Sequence, residues 1–423
     1  MGRARPDQAS TPGPSDLIVL PIVLIAGCLL AWARSPSVIF HPRLYAEDGS
    51  VFFHAAYSQG WLAPLSQTYA GYLETFSRLV ADVGLLVPLS QVPLLFAAIA
   101  LVVQVLPAVM VASRRFARAV PDLRVRLLLA AVYLVIPNSS EVNVVLTNTQ
   151  WHLAILAVLV VLAAPATGAW RVFDLAAMVL SGLTGPFVLS VIVIAAIVYY
   201  HRRQRWTLVI GVVALTTGAV QFFELLHAQR PHVGPLGATA RRLAEILGGR
   251  LIGNTVLGTS TTTSGRFVGH LLAISILFLV GAVVVVGCAL WRGPFELKMF
   301  NLWAGLTLAG SLASPLASAQ GYQWQMLVGN AGDRYWLFPS LAFVADLIWL
   351  AGQIRTPWHI PAASAVAILV VFVAFGVRED FRYPVVPAPS WQAQVRQFDR
   401  LAPGQSFTFH IRPPGWAMTL TKK

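Results

Sequence analysis

Cysteine, lysine and acidic residues are all scarce in this 423-residue chain. Its two cysteines, Cys28 and Cys288, stand in separate apolar stretches, so the sequence contains neither a disulfide framework nor the ligand spacing of a metal site. Only 11% of the residues are charged, whereas 57% are hydrophobic, and the mean hydropathy is +0.69. This composition excludes an ordinary soluble domain and predicts an integral membrane protein.

The few charges are strongly biased towards arginine. There are 17 acidic and 30 basic residues, a net charge of +13, and the only lysines are Lys298, Lys422 and Lys423. The basic residues are scattered between apolar segments, which argues against a nucleic-acid-binding surface. The excess is typical of the positive-inside rule and of attraction to anionic lipid.

The apolar segments predict an all-α polytopic membrane protein with about 11 transmembrane helices. Residues 1–15 are expected to form a disordered cytoplasmic tail, and residues 16–376 the membrane domain. An uncleaved first span at 17–33 is favoured over a signal peptide because the cleavage pattern is weak. The arginine-rich segment 113–126 is the strongest cytoplasmic marker, and the Gly and Pro at 182–186 should break a helix.

Four long loops and the C-terminal tail are predicted to share the extracytoplasmic face of a bacterial plasma membrane. The loops are 34–77, 138–149, 227–268 and 318–334, and the tail is 377–423. The first and third loops contain segments that would form juxtamembrane helices. The tail alternates apolar and polar residues on both sides of Pro413-Pro414-Gly415, which predicts a small β-hairpin.

The acidic pair Glu47-Asp48 directly follows the first apolar segment. Such a pair at the mouth of a membrane bundle is costly unless it has a function or a cationic partner. A helix cap, or an ion pair with Arg43 or Arg78, is the simpler interpretation. We hypothesise instead that the pair holds a catalytic base, with Asp48 favoured and Glu47 next.

Other polar groups fall on the same predicted face. Besides Glu47 and Asp48, the predicted catalytic residues include Glu141. Arginines can neutralise a phosphate leaving group, and hydrogen-bonding and aromatic side chains can hold a sugar. The predicted phosphate-binding residues are Arg78, Arg241, Arg242, Arg266 and Arg334, and the predicted sugar- or acceptor-binding residues are Tyr72, Asn148, Gln150, Trp151, His152 and Tyr335. Glu47, Asp48 and Glu141 could hold a divalent ion, but neither a ligand cluster nor a fixed spacing indicates a metal site, so no metal and no cofactor are predicted.

The order of these elements, over about residues 40–380, resembles the GT-C superfamily of membrane glycosyltransferases that use polyprenyl-phosphate sugars. The resemblance is carried by Glu47-Asp48, by Glu141 in the next outer loop, and by the turn Thr184-Gly185-Pro186. It implies transfer of a sugar to an envelope glycan or lipid, with inversion at the anomeric carbon. The turn lacks the lysine of the family motif, so the phosphate ligand is expected to be Arg334 or an arginine of 227–268.

Two other classes of function stay open at this point. A transporter or flippase for a lipid-linked or anionic solute would place polar groups near the bilayer midplane, and Asp82, Gln104, Gln221 and Asp346 fit that pattern. A non-catalytic membrane scaffold is the third possibility. The gathering of polar groups at one face favours the enzyme.

Overall fold

The computed structural model describes residues 14–227, 233–317, 320–329, 331–354, 356–383 and 389–423, and it is mostly helical. The predicted disordered tail therefore falls almost entirely outside the described residues. The first helix begins at Pro14.

Helices account for nearly all of the regular structure. The α-helices of nine or more residues are Pro14–Arg34, Thr75–Gly84, Val92–Ala112, Leu123–Val135, Thr149–Leu162, Ala169–Gly182, Val188–Arg202, Arg205–His227, Leu271–Arg292, Phe295–Ala313, Leu337–Ala351, His359–Val371 and Trp391–Asp399. Shorter α-helices are Ser37–Phe40, His54–Gln59, Ala240–Ala244, Asn254–Leu257, Thr259–Thr262, Gly265–Gly269, Gln323–Val328 and Arg378–Asp380. Wider π-helical turns are Asp48–Phe53, Glu245–Gly253 and Phe372–Val377, and 3₁₀ turns are Ala63–Ser66, Leu89–Gln91, Arg114–Phe116, Ser140–Val142 and Asp333–Trp336.

The prediction of 11 spans is wrong. Five helices in the described parts of the chain are long and apolar enough to cross a membrane, and they suggest a multi-pass membrane protein. These five are Asp16–Arg34, Leu89–Ala112, Arg205–His227, Leu271–Arg292 and His359–Asp380. Most of the other predicted spans are helices of 13 to 15 residues. At 1.5 Å per residue these reach about 20–23 Å, less than the roughly 30 Å of a bilayer core.

The helix Thr149–Leu162 shows why hydropathy overcounts spans. Every one of its 14 residues is buried, and it packs against Val92–Ala112 and Ala169–Gly182. An interior helix of this kind is as apolar as a membrane span without having to cross the bilayer. The remaining predicted span, Phe295–Ala313, has 19 residues but carries Glu296 and Lys298 in its first turn.

The predicted outer loops come together at one end of the helical bundle. The Asn138 side chain donates to the carbonyl of Arg250 at 3.1 Å, which joins the second loop to the third. The main-chain amide of Asn138 donates to the Asp380 carboxylate at 3.0 Å, which joins the second loop to the start of the tail. Arg34 is fully buried and donates to the carbonyls of Leu134 and Ile136, so the end of the first helix is tied to the same junction. Buried arginines need such partners, and here main-chain carbonyls supply them.

The predicted C-terminal β-hairpin is confirmed. Strands Ser406–His410 and Ala417–Thr421 pair antiparallel, with Phe407 opposite Leu420. Phe409 is fully buried between the hairpin and the helix Trp391–Asp399. A second, two-residue hairpin joins Thr68–Tyr69 to Tyr72–Leu73 in the first loop.

Candidate functional site

The acidic motif lies where the first loop, the second loop and the C-terminal tail meet. Asp48 opens the π-helical turn Asp48–Phe53, and its Oδ1 accepts a 2.7 Å hydrogen bond from the Thr147 amide. The Asp48 side chain is buried, with only 3% of its surface exposed. Burial raises the pKa of this carboxyl to about 8, although the Thr147 amide acts to lower it. At neutral pH the group is therefore mainly protonated.

Glu47 stands beside Asp48 but is only half-buried. Its Oε1 accepts a 2.9 Å hydrogen bond from the hydroxyl of Tyr69, on the small hairpin of the first loop. Burial, together with the neighbouring Glu47 charge, raises the pKa of Tyr69 above its ordinary value. The two acids of the motif thus differ, because one joins two loops in the interior and the other reaches a partly open surface.

A third carboxylate, Glu74, joins this cluster and was not among the predicted site residues. Only 1% of its surface is exposed, and its Oε1 has no hydrogen-bond partner among the described residues. Burial, and next the Glu47 charge, raise the pKa of Glu74 well above its ordinary value. The sequence places it in the first loop, on the predicted outer face, whereas its burial depends on tertiary contacts.

The turn Thr184-Gly185-Pro186 packs directly on this hairpin. Thr184 forms a β-bridge with Glu74, and its hydroxyl accepts from the Phe76 amide at 3.0 Å. The Gly185 amide donates to the Leu73 carbonyl at 3.0 Å. Gly185 has a φ of +83°, and a β-carbon there would lie 2.4 Å from Oε1 of Gln150. The positive φ favours glycine here, and a larger residue would also have to displace the Gln150 side chain.

Glu141 of the second predicted loop and Arg334 of the fourth form an ion pair in the same cluster. Their side chains lie 2.7 Å apart, and each is 25% exposed. The Arg334 guanidinium also donates to the Leu316 carbonyl and to the Tyr335 hydroxyl, at 2.8 and 3.3 Å. Although burial acts to lower it, Tyr335 and Glu141 raise the pKa of Arg334, so the side chain stays charged.

Tyr45 lies between the two groups of acids. Burial raises its pKa, and Glu141, Glu47 and Asp48 act in the same direction while Arg334 opposes them. Asp333, next to Arg334, accepts from the Ser140 hydroxyl at 2.8 Å. Burial, then the Glu141 charge, raise the pKa of Asp333 to about 7. Neither Tyr45 nor Asp333 was predicted as a site residue.

Several predicted sugar-binding residues line the same region. Burial raises the pKa of Tyr72, and Glu74 acts in the same direction, whereas Gln150 acts to lower it. The Asn148 amide group donates to the Glu141 carbonyl at 2.6 Å. Trp151 is buried against Tyr335, with ring centres 5.7 Å apart, so it supports the site from behind.

His152 lies in the interior of the bundle. Its side chain is 2% exposed. One ring nitrogen lies 2.7 Å from the Tyr133 hydroxyl and the other 2.9 Å from the Val142 carbonyl. The contacts at both nitrogens hold the second loop against neighbouring helices.

The predicted phosphate-binding arginines divide into two groups. Arg334 belongs to the cluster. Arg78 is close to Glu74 and only 2% of its surface is exposed. Its guanidinium lies 5.3 Å from the centre of the Phe52 ring. By contrast, Arg241 pairs with Glu245 at 2.9 Å, and Arg242 donates to the Gly237 carbonyl at 2.6 Å, both within the third loop. The side chain of Arg266 lies outside the described residues.

The cluster as a whole gathers carboxylates, arginines and tyrosines from four separate segments. In the parts of the chain that the structure covers, no three His, Cys, Asp or Glu side chains are grouped to hold a metal ion. An apolar cavity of about 360 Å³ lies elsewhere, beside Phe116, Val120 and Pro121 of the arginine-rich segment. What the cluster can do chemically is accept a proton on Glu47 and hold an anion on an arginine.

No protein-family model matches this chain, and no curated protein sequence matches it.

Proposed function

We propose that the chain is a membrane glycosyltransferase that transfers a sugar from a polyprenyl-phosphate donor to an envelope glycan or lipid acceptor. The reaction would take place on the extracytoplasmic face of a bacterial plasma membrane. The observation that carries the proposal is the half-buried Glu47 carboxylate, which stands within one cluster with the Glu141–Arg334 pair. The motif resemblance to GT-C enzymes supports it.

Glu47 is the proposed general base. A base must meet the acceptor hydroxyl directly, and Glu47 is half-buried whereas Asp48 is buried and bonded to the Thr147 amide. A carboxyl with a pKa of about 8 is also mainly protonated at neutral pH, so Asp48 is a poor proton acceptor. In this proposal Asp48 positions Glu47 by joining the first and second loops.

The proposed reaction is a single displacement. Glu47 takes the proton of an acceptor hydroxyl, and the hydroxyl oxygen forms a bond to the anomeric carbon. The bond between that carbon and the phosphate oxygen breaks, and polyprenyl phosphate leaves with the electron pair. Arg334 would neutralise charge on the phosphate, because a guanidinium fork matches phosphate oxygens.

Two of the polar groups that would favour a transporter have structural partners. Gln221 exchanges two hydrogen bonds with the main chain of Leu73, at 2.9 and 3.1 Å. Gln104 bonds the Asn143 side chain at 2.9 Å and the Val144 amide at 2.8 Å. Both hold outer loops onto helices, and this speaks against a solute pathway through them.

Linkage analysis of the envelope glycan in a deletion strain tests the proposal. The strain is complemented with wild type, Glu47→Gln, Asp48→Asn, or the control Asp399→Asn, which changes an exposed acid of the tail helix. We expect one sugar linkage to disappear on deletion and to return with wild type and the control. Glu47→Gln should lower transfer by about 10²–10⁴-fold, the usual contribution of a general base.

The amount of each variant in the membrane is measured by immunoblot, so that loss of transfer is not confused with loss of protein. Full restoration by Glu47→Gln at normal abundance would refute the assignment of the base. Accumulation of a lipid-linked sugar in the inner leaflet of the deletion strain would instead support a transporter.

A further inference from the structure

The C-terminal tail delivers an arginine to the acidic motif. Arg412 forms a parallel β-bridge with Tyr45, and its amide donates to the Leu44 carbonyl at 2.9 Å. The Ala46 amide donates in return to the Arg412 carbonyl. The preceding residue, Ile411, is buried against the first loop. These main-chain bonds hold Arg412 beside Tyr45 and Ala46, the two residues that precede Glu47.

The guanidinium of Arg412 forms no ion pair with the acids that the structure describes. Its Nε is buried without a hydrogen-bond partner, and no carboxylate within the described residues pairs with the side chain. Paired residues of a β-bridge direct their side chains to the same face, so Arg412 and Tyr45 face the same way. An unsatisfied buried donor is destabilising, and an arriving acceptor would remove that cost.

A second cation, Arg43, lies close by. Burial lowers the pKa of Arg412, and Arg43 is the next largest cause, whereas Asp48 and Tyr45 act to raise it. Asp48 offers little negative charge in return because its own pKa is about 8. Arg412 therefore stands beside a second arginine, and Asp48, which is mainly protonated at neutral pH, does little to neutralise it.

We infer that Arg412 and Arg43 form a binding site for a phosphate group next to the Glu47-Asp48 motif. Phosphate suits the position because its oxygens accept from a guanidinium fork, and the neighbouring Tyr45 hydroxyl adds a further donor. The inference deepens the proposed function and rests on it for the identity of the ligand. In that function the phosphate is that of the polyprenyl-phosphate carrier, and the C-terminal tail becomes part of the substrate site.

Binding of farnesyl phosphate to the purified full chain tests this site. The protein is placed in nanodiscs of phosphatidylcholine, and Kd is measured by microscale thermophoresis for wild type, Arg412→Gln, Arg412→Lys and Arg400→Gln. Arg400 is an exposed arginine at the end of the tail helix and serves as the matched control. We expect Arg412→Gln to raise Kd at least tenfold, equal to 1.4 kcal/mol. Arg412→Lys should give an intermediate value, and Arg400→Gln the wild-type one.

Two competitors separate the sources of the phosphate. Competition by inorganic phosphate alone would mean that the site recognises the phosphate group without its lipid. Competition by phosphatidylglycerol added to the nanodisc would assign the site to a phospholipid headgroup. If neither competes, the prenyl chain contributes to recognition as well as the phosphate.

Equal Kd values for Arg412→Gln and Arg400→Gln would overturn the inference, as would failure of wild type to bind any of the three probes. Amide exchange over residues 44–53 shows whether Arg412→Gln keeps the first loop folded, and Arg412→Lys provides a second test if it does not. Sugar transfer is assayed in parallel. Binding that depends on Arg412, without any transfer by wild type, would keep the phosphate site and reject the proposed function. Sugar transfer by wild type, together with binding that does not depend on Arg412, would keep the proposed function and reject the phosphate site.

Discussion

At the scale of single residues, adjacent carboxylates in this protein have different environments. Glu47 is half-buried and bonded to a tyrosine hydroxyl, whereas Asp48 is buried and bonded to a main-chain amide. The difference arises because successive residues at the start of a helical turn point in different directions. One acid therefore reaches a partly open surface, and the other joins two loops.

The raised pKa of Asp48 predicts a pH-dependent stability. Its pKa is about 8 in the folded protein and near 3.8 in the unfolded chain, so unfolding releases a proton between these values. Stability should therefore fall as pH rises from about 4 to 8, by at most about 1.4 kcal/mol per pH unit from this group. Asp48→Asn keeps an acceptor for the Thr147 amide but cannot titrate, so its Tm in detergent should fall less between pH 5 and 8.

Asp399→Asn is the control for that measurement, because Asp399 is exposed. Its Tm should follow the wild-type dependence on pH. If Asp48→Asn had the same slope as wild type, the Asp48 carboxyl would not be the titrating group. Glu74, whose pKa is also raised by burial, would then be examined by Glu74→Gln.

At the scale of secondary-structure elements, close packing depends on particular glycines. The wide turn Glu245–Gly253 lies directly on the helix Leu271–Arg292. A β-carbon at Gly248 would lie 1.8 Å from the Ser275 carbonyl oxygen. Small residues allow two backbones to approach in this way, as is common between membrane helices.

Gly248→Ala should therefore be destabilising. Because the obstructing atom belongs to a main chain, the two elements must move apart, and overpacking of this kind costs about 1–3 kcal/mol. The Tm of the purified variant in detergent is the measurement. Gly281→Ala is the control. Gly281 lies on the helix Leu271–Arg292, and no atom is within 4 Å of the carbon that the substitution adds. Unchanged Tm for Gly248→Ala would mean that this contact is looser than the structure shows.

At the scale of the whole molecule, the C-terminal tail packs against the first loop, beside the acidic motif. Phe409 and Ile411 of the hairpin share one apolar cluster with Leu44, Phe52 and Phe53 of the first loop. Polar contacts reinforce the tail itself, since the His410 amide donates to Gln394 of the tail helix at 2.6 Å. The acidic motif is thus held by residues from both ends of the chain.

Loss of this packing should loosen the first loop. Phe409→Ala removes a fully buried ring, a change that usually costs about 3–5 kcal/mol. Amide hydrogen exchange over residues 44–53 should become faster. Thr408→Ala, on the exposed face of the same strand, should leave the exchange unchanged. Equal protection in the two variants would show that the loop folds without the tail.

Much of the local structure could be predicted from sequence. The break between Ala169–Gly182 and Val188–Arg202 follows from Gly and Pro, and the C-terminal hairpin follows from its two-residue period. Short-range preferences determine such features, so they do not depend on the rest of the fold. The count of spans could not be obtained in the same way, because a buried helix such as Thr149–Leu162 is as apolar as a membrane-spanning one.

The same distinction between local pattern and tertiary contact applies to the candidate site. The sequence by itself determined the membrane character of the chain, the acidic pair and the loops that carry Glu141 and Arg334, since these follow from composition and local pattern. Only the tertiary structure decided that Arg412 joins that pair and that Asp48 and Glu74 are buried. Burial and pairing depend on contacts between distant segments, and these contacts set the protonation of an acid and leave a buried arginine nitrogen without a partner among the described residues.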